Sequence, residues 1–357
     1  MKADELLRSL IRKGISDIHF KGGSVPLIRV DGRLMTAGTE HIAPESVEQL
    51  ACALMTAEQK KQFDREHELD IAYSLQTMSR FRVNVYRQRG TVALTLRVVP
   101  LQVNSFDELN LPSETLRKMA AETRGLILVA GVTGAGKTTT MNSLIDFVNE
   151  HCSYKIITVE DPIEYYHQDK KSSISQREVG SDTQSYARAL KYALRQDPDI
   201  VVIGEMRDFD AVAAAITAAE TGHLVLSTIH TMDAVQTIDR IVDSFPPHQQ
   251  ASVRSQLSNV LRGIVAQRLV NCKDGNGRIP VTEVLVGTSL VRKLIQENKL
   301  ADVYKAMEQG AYYGMHTFDQ DIFEACRQGR IKTEEALDKA SNADDLMLKL
   351  RGIEREE

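Results

Sequence analysis

Nowhere in the chain do two cysteines stand in a C-x-x-C pair. The four that occur, Cys52, Cys152, Cys272 and Cys326, are scattered. That spacing argues against a disulfide framework and a cysteine zinc site, and suits a reducing cytoplasm. Long apolar runs are also missing. The longest, such as "GLILVAGV", fall far short of the ~20 residues needed to cross a bilayer. The first residues, "MKADELLRSLIRKG", are charged throughout and have no signal-peptide core. An excess of basic charge is absent too: the net charge is -5, against a dedicated nucleic-acid binder, which is usually basic. There is no internal repeat and no low-complexity tract. What remains, 42% hydrophobic and 26% charged over 357 residues, is ordinary globular composition, with length for roughly two domains at about 150 residues each.

The first hundred residues read as a small α+β domain. "DELLRSLIRKG" places apolar residues at 6, 7, 10 and 11, a helical stripe with Gly14 as its stop. "PLIRVDGRLM" reads as a hairpin turned by Asp31-Gly32, a pair that tolerates positive φ. In "RFRVNVYRQRGTVALTLRVV", Phe81, Val83 and Val85 alternate with polar residues. After a turn near Gly90 the alternation resumes at Val92, Leu94, Leu96 and Val98. Residues 100–112 lose all periodicity and read as a linker, and Ser113 is a candidate cap for a short helix.

From Gly125 the pattern changes. "LILVAG", "KIITVE", "DIVVIGE" and "HLVLSTIH" are continuous and apolar, as strands covered on both faces are. Helical patterns such as "SYARALKYALRQ" and "DAVAAAITAAETG" lie between them, so the expected core is a doubly wound α/β sheet. From Thr288 the chain turns helical and charged, in "SLVRKLIQENKL" and "TEEALDKASNADDLMLKL". The expected divisions are 1–99, a linker 100–112, a core 113–287 and a helical region 288–357.

"GVTGAGKT", Gly131 to Thr138, fits the phosphate-binding pattern G-x-x-x-x-G-K-[ST] between a strand and a helix. Gly131, Thr133, Gly134, Ala135, Gly136, Lys137, Thr138 and Thr139 are the expected nucleotide contacts. Backbone N–H groups wrap the phosphates, Lys137 reaches the β- and γ-phosphates, and the Thr138 hydroxyl ligates Mg²⁺. "ITVEDPIEYYH" clusters Glu160, Asp161 and Glu164 at a strand end, where α/β sheets bind ligands. Three such acids suit metal or catalytic work, or form a solvated turn. In "DPDIVVIGEMRD", Glu205 is a candidate magnesium ligand, direct or through water. Arg207 pairs with an acid or phosphate, or is a plain surface residue. Gly204 stands where many phosphate-handling ATPases carry aspartate. His223 and His230 bracket a strand; His230 is expected at the phosphate end. Arg80, Arg82, Arg87, Arg89 and Arg97 crowd one hairpin, as a solvated or nucleic-acid face or as arginines that approach an ATP γ-phosphate.

In this order the motifs resemble the type IV pilus retraction ATPases of the secretion ATPase superfamily, the PilT/PilU family. The resemblance runs from "SDIHFKGGSVPLIRVDGRL" through the P-loop, "VEDPIEY", "QREVGSDTQSYARALKYALRQDPDIVVIGEMRD" and "TAAETGHLVLSTIHT" to "YYGMHTFDQDIFEACRQGRI". It implies a PAS-like N-terminal domain before a RecA-like P-loop ATPase core, and a homo-hexamer with ATP held between the two domains. It implies Glu164 as general base, Glu205 as the acid of an atypical Walker B strand, a functional His230, and Arg82 and Arg97 reaching ATP from the first domain. The implied partners are an inner-membrane platform protein and a paralogous retraction ATPase, at the cytoplasmic face of the inner membrane, with no nucleic acid. The family's C-terminal motif AIRNLIRE reads "LVRKLIQE" here, departing at Leu290, Lys293 and Gln296. A pilus-assembly or type II secretion ATPase, a RecA-like DNA translocase and a non-hydrolysing ATP switch stay open as alternatives.

Overall fold

A computed structural model of the chain describes residues 3–11, 15–30, 33–75, 79–99, 103–275 and 277–352. It divides into two compact units. One comprises Met1–Gln102 with Glu164–Tyr166, the other Val103–Ile163 with His167–Glu357.

The first unit is built on a six-stranded sheet in the spatial order Arg33–Thr36, Leu27–Val30, Ile15–Lys21, Thr91–Val99, Ser79–Gln88 and Glu68–Leu75. Every neighbouring pair is antiparallel. The period of two in the sequence separates its faces. Ile18 lies opposite Ile28 and Leu96, Leu96 opposite Val83, and Val83 opposite Ile71, all buried. Each fully buried side chain of this size contributes about 1.5–3 kcal/mol. The helix Pro44–Leu54 covers this face with Val47, Leu50, Ala51 and Leu54. Arg89 and Gly90 both take positive φ between the paired Gln88 and Thr91, the two-residue turn the sequence signalled. Val98 is only half-buried, so the alternation weakens at the strand's end. The expected Asp31-Gly32 turn and Gly14 stop lie outside the described residues.

In the second unit a seven-stranded sheet runs in the order Arg278–Val286, Leu261–Asn271, Gly125–Ala130, Leu224–Ile229, Ile200–Ile203, Lys155–Glu160 and Ser173–Glu178. All pairs are parallel except Arg278–Val286 with Leu261–Asn271. The four apolar runs of the sequence are its adjacent central strands. Helices Lys137–His151, Tyr186–Ala193, Phe209–Glu220 and Ala234–Asp243 alternate with them in the chain, giving a RecA-like α/β core. Parallel pairing brings the carboxyl ends of Gly125–Ala130, Lys155–Glu160, Ile200–Ile203 and Leu224–Ile229 to one edge, where the P-loop, Glu160, Glu205 and His230 follow.

One local expectation fails. Ser113 does not cap its helix: Ser113–Ala120 is capped at Pro112 without a side-chain bond, and the Ser113 hydroxyl donates to Asp107 (2.5 Å) and the Leu111 carbonyl (3.2 Å). "TEEALDKASNADDLMLKL" forms two helices, Thr333–Lys339 and Ala343–Leu350. Asp319 accepts the N–H groups of Ser341 and Asn342 at 2.6 and 2.9 Å, which pins the break, and Asn342 caps the second helix. Among the described residues no helix is long and apolar enough to cross a membrane.

Candidate functional site

The P-loop joins the strand Gly125–Ala130 to the helix Lys137–His151, with Gly136 as its N-cap at φ 90°. Two of its glycines are dictated by contact as well as by conformation. A Cβ at Gly131 would stand 2.7 Å from the Gln267 carbonyl oxygen, and one at Gly136 would stand 2.7 Å from the Gln267 side-chain nitrogen. Gln267 is buried in the strand Leu261–Asn271 and accepts a hydrogen bond from the Thr140 hydroxyl at 2.7 Å, so it buttresses the loop from behind. Lys137 folds over the loop and donates to the Gly131 and Val132 carbonyls at 2.8 and 3.1 Å. Gly131, Thr133, Gly134, Ala135, Gly136, Lys137, Thr138 and Thr139 are thus one strand–loop–helix unit, with the positive end of a helix dipole at Lys137. A cavity of about 340 Å³ opens beside Thr133, Gly134 and Ala135 and is bounded by Gln267, Arg268 and Arg278.

At the neighbouring strand ends, Glu205 is held from two sides. Its Oε1 lies 3.1 Å from His230 Nε2, and its Oε2 accepts from Arg207 Nε at 2.8 Å. Arg207 therefore pairs with an acid, and that contact raises its own pKa. Gly204 is enclosed: a Cβ there would stand 3.2 Å from Glu160 Cα, Tyr186 Oη and the Val159 carbonyl oxygen. The Tyr186 phenol is kept protonated by burial, then by the carboxylates of Asp161, Glu205 and Glu160.

The three acids of "ITVEDPIEYYH" separate. Glu160 is buried and satisfied, its Oε1 accepting from Thr158 at 2.6 Å and Gln176 at 3.1 Å. Asp161 and Glu164 are exposed. The chain on either side of Glu164 is anchored in the second unit. The Ile163 N–H donates to Glu178 at 3.0 Å, and His167 is buried. His167 donates through Nε2 to Asn142 Oδ1 at 2.7 Å, and the Asn142 amide donates to the Thr138 carbonyl at 2.8 Å. Asn149, on the same helix, donates to the Gln168 carbonyl and accepts from the Lys170 N–H, at 2.8 and 3.0 Å.

Burial lowers the His167 pKa to about 4, and its Nδ1 has no partner among the described residues. A histidine favoured neutral in the fold stabilises fully above its unfolded pKa near 6.5, and that stability is lost as pH falls towards 4. Urea unfolding at pH 7.5 and pH 5 of the wild type and of His167→Gln measures this. The wild type is expected to lose about 2 kcal/mol more than the variant. Equal losses would refute the assignment.

The remaining histidine and arginines divide clearly. His223 closes the helix Phe209–Glu220 by a contact of 3.0 Å from Nδ1 to the Ala218 carbonyl, a structural role. Within the first unit, Arg82 and Arg97 are direct cross-strand partners, so they share a face despite their unequal numbering; Asp17 is opposite Arg97 on the other side. Arg97 donates to Asp17 at 3.0 Å. Burial pushes the Asp17 acid up, but hydrogen bonds from Ser16 and Arg97 outweigh it and hold it below the usual range. Arg82 is exposed and has no ion-pair partner among the described residues. Arg87 instead lies 5.5 Å over the Phe63 ring. In "LVRKLIQE", Val291 and Ile295 are buried, while Leu290, Lys293 and Gln296, the three departures, are exposed.

Comparison with known proteins agrees along nearly the whole chain. The family model described as Type II/IV secretion system protein matches residues 2–338. The type IV pilus retraction ATPase PilT of Pseudomonas aeruginosa is 40% identical over 340 residues, 95% of this chain and 98% of that protein. The type IV pilus ATPase PilU of the same organism is 39% identical over 351 residues, 98% and 92% of the two chains. A crystal structure of the pilus retraction motor PilT with bound ADP superposes with a TM-score of 0.89 at 41% identity, covering 97% of this chain and 99% of that one. The chain belongs to the family of type II/IV secretion system proteins and is one of its ATPases.

Proposed function

We propose that this ATPase is a hexameric motor that couples MgATP hydrolysis to retraction of a type IV pilus. The observation that carries the reading is the likeness to pilus retraction ATPases over nearly the whole chain, through both compact units. The proposed setting is the cytoplasmic face of the inner membrane. Its partners there are the platform protein of the pilus machine and a paralogous retraction ATPase. The proposed division is a PAS-like domain at 1–99, a linker at 100–112, an ATPase core at 113–287 and a helical region at 288–357.

In this reading the P-loop amides and Lys137 hold the β- and γ-phosphates. Glu164 orients the attacking water and takes its proton. Thr138 and Glu205 would hold magnesium; both offer oxygen, the donor this hard cation prefers, and a site completed by phosphates needs few protein ligands. Bound there, magnesium supplies charge that offsets what develops on the phosphate oxygens. Arg207 and His230 keep Glu205 oriented. Arg82 and Arg97 supply cationic charge to ATP, and Arg82, with no carboxylate on it among the described residues, is the freer of the two.

Pilus assembly is the second reading. It is favoured by the three departures in "LVRKLIQE", which change an exposed helix face and leave its packing intact. Deletion of the gene in its host separates the two. Retraction predicts hyperpiliated cells that do not twitch, whereas assembly predicts bald cells. A DNA translocase would instead bind DNA with strong salt dependence and hydrolyse ATP faster in its presence.

A further inference from the structure

Glu283 lies in the strand Arg278–Val286, is 2% exposed, and takes no part in the roles above. Its carboxylate accepts the backbone N–H of Ala234 at 2.8 Å and attracts that of Phe318, and these two offset part of the burial that pushes its pKa up to about 7. Ala234 and Phe318 are the first residues of two helices, Ala234–Asp243 and Phe318–Arg327, far apart in the chain. The first N–H groups of a helix have no partner within it, and an anion there is favoured by the dipole. Both helices already have ordinary caps: Asp233 accepts from the Gln236 N–H and Thr317 from the Gln320 N–H. Glu283 is therefore a bridge between them.

What the bridge joins gives it a function. Only Thr231–Asp233 separate His230 from the first helix. Thr231 is buried and its hydroxyl is bonded to that of Thr237 at 2.6 Å, so the segment is pinned at both ends, by Thr237 and by Glu283. On the other arm, Arg268 lies 3.9 Å over the Phe318 ring and donates to the Lys339 carbonyl at 2.7 Å, and it also borders the cavity beside the P-loop. Removing the carboxylate would leave the buried Ala234 N–H unpaired and take from the Phe318 N–H the group that attracts it.

We propose that Glu283 is a positioning residue. It fixes the segment His230–Asp233, and with it the His230–Glu205 contact, to the first turn of the helix Phe318–Arg327, so that the C-terminal helices and the nucleotide end of the sheet are coupled. Coupling of this kind is reciprocal: a load on the C-terminal helices changes the setting of Glu205, and occupancy at Glu205 changes theirs. The inference rests on the reading of His230 and Glu205 as site residues.

A double-mutant cycle tests it, with steady-state hydrolysis measured for the wild type, Glu283→Gln, His230→Ala and the pair. Gln keeps the shape but turns an NH₂ donor towards one of the two N–H groups. The expected result is a kcat about tenfold lower with KM for MgATP within about twofold, the mark of a misplaced group acting after binding. In the His230→Ala background the same change is expected to cost less than about twofold. Wild-type kcat in Glu283→Gln, or an equal tenfold loss in both backgrounds, overturns the inference and leaves the site reading standing. Wild-type turnover in His230→Ala alone overturns the site reading and the inference with it. Should the Gln variant not fold, Glu283→Asp, which keeps the charge but shortens its reach, is run through the same cycle with the same criteria.

Discussion

Replacing Glu164 by Gln leaves MgATP bound, with a Kd within about threefold of the wild type, and lowers turnover by about 100- to 10,000-fold, the range a general base contributes. The amide still accepts a hydrogen bond from a water but cannot take its proton. Because Glu164 is exposed, the isosteric change costs the fold little. The anchors on either side, the Ile163 N–H on Glu178 and His167 on Asn142, are untouched, so the loop keeps its path. The contrast is Lys137→Ala, which removes the cation over the P-loop and is expected to weaken binding itself. Equilibrium binding of a fluorescent ATP analogue and single-turnover hydrolysis, measured separately, distinguish the two variants. Turnover at the wild-type rate in Glu164→Gln would remove Glu164 from the chemistry. Loss of binding there would assign it to the substrate contact instead.

The parts of this fold that were legible in the sequence are those where one physical demand acts alone. The strands Gly125–Ala130, Ile200–Ile203 and Leu224–Ile229 are buried on both faces, so their residues are apolar except Ser227 and Thr228, whose hydroxyls donate to the Ile203 and Gly204 carbonyls, and the pattern is plain. The P-loop is legible because phosphate binding demands glycine at fixed spacing. Leu261–Asn271 was missed because Gln267 and Arg268 interrupt it, and each is there for the site: Gln267 backs the P-loop and Arg268 stacks on Phe318. Ser173–Glu178 was missed because an edge strand with a single neighbour needs little apolar surface. Contacts that depend on register or on distant segments were closed to sequence reading. The opposition of Arg82 to Arg97 follows from the hairpin's alignment, and the bridge from Glu283 to Ala234 and Phe318 joins three separate stretches. Asn142 and Asn149 did leave a trace, two asparagines spaced to share one face of a helix, but only their partners at His167, Gln168 and Lys170 give it meaning.

Gly204→Asp, which writes the commoner magnesium aspartate into this chain, is expected to destabilise the protein by about 2–5 kcal/mol, the steric cost of a side chain plus that of a further carboxylate at a half-buried position among acids. It would not strengthen the site. The new Cβ would stand 3.2 Å from Glu160 Cα and from the Val159 carbonyl oxygen, both backbone atoms of the adjacent strand, and 3.2 Å from Tyr186 Oη. The backbone cannot withdraw easily, because the Gly204 N–H donates to that same Val159 carbonyl at 2.8 Å and its own carbonyl accepts from the Thr228 hydroxyl at 2.7 Å. Gly204→Ala carries the steric part alone and is expected to cost about 1–3 kcal/mol. The remainder is electrostatic: the added carboxylate joins a region where burial, and then the charges of Asp161, Glu205 and Glu160, already push the Tyr186 phenol up. Denaturant unfolding of the three proteins measures both parts. An Asp variant within about 1 kcal/mol of the Ala variant would mean that the region tolerates another charge, and an aspartate there would then be compatible with this sheet. Otherwise Gly204 is a packing requirement. The carboxylate proposed for the metal stands one residue further on, at Glu205, where Arg207 and His230 hold it.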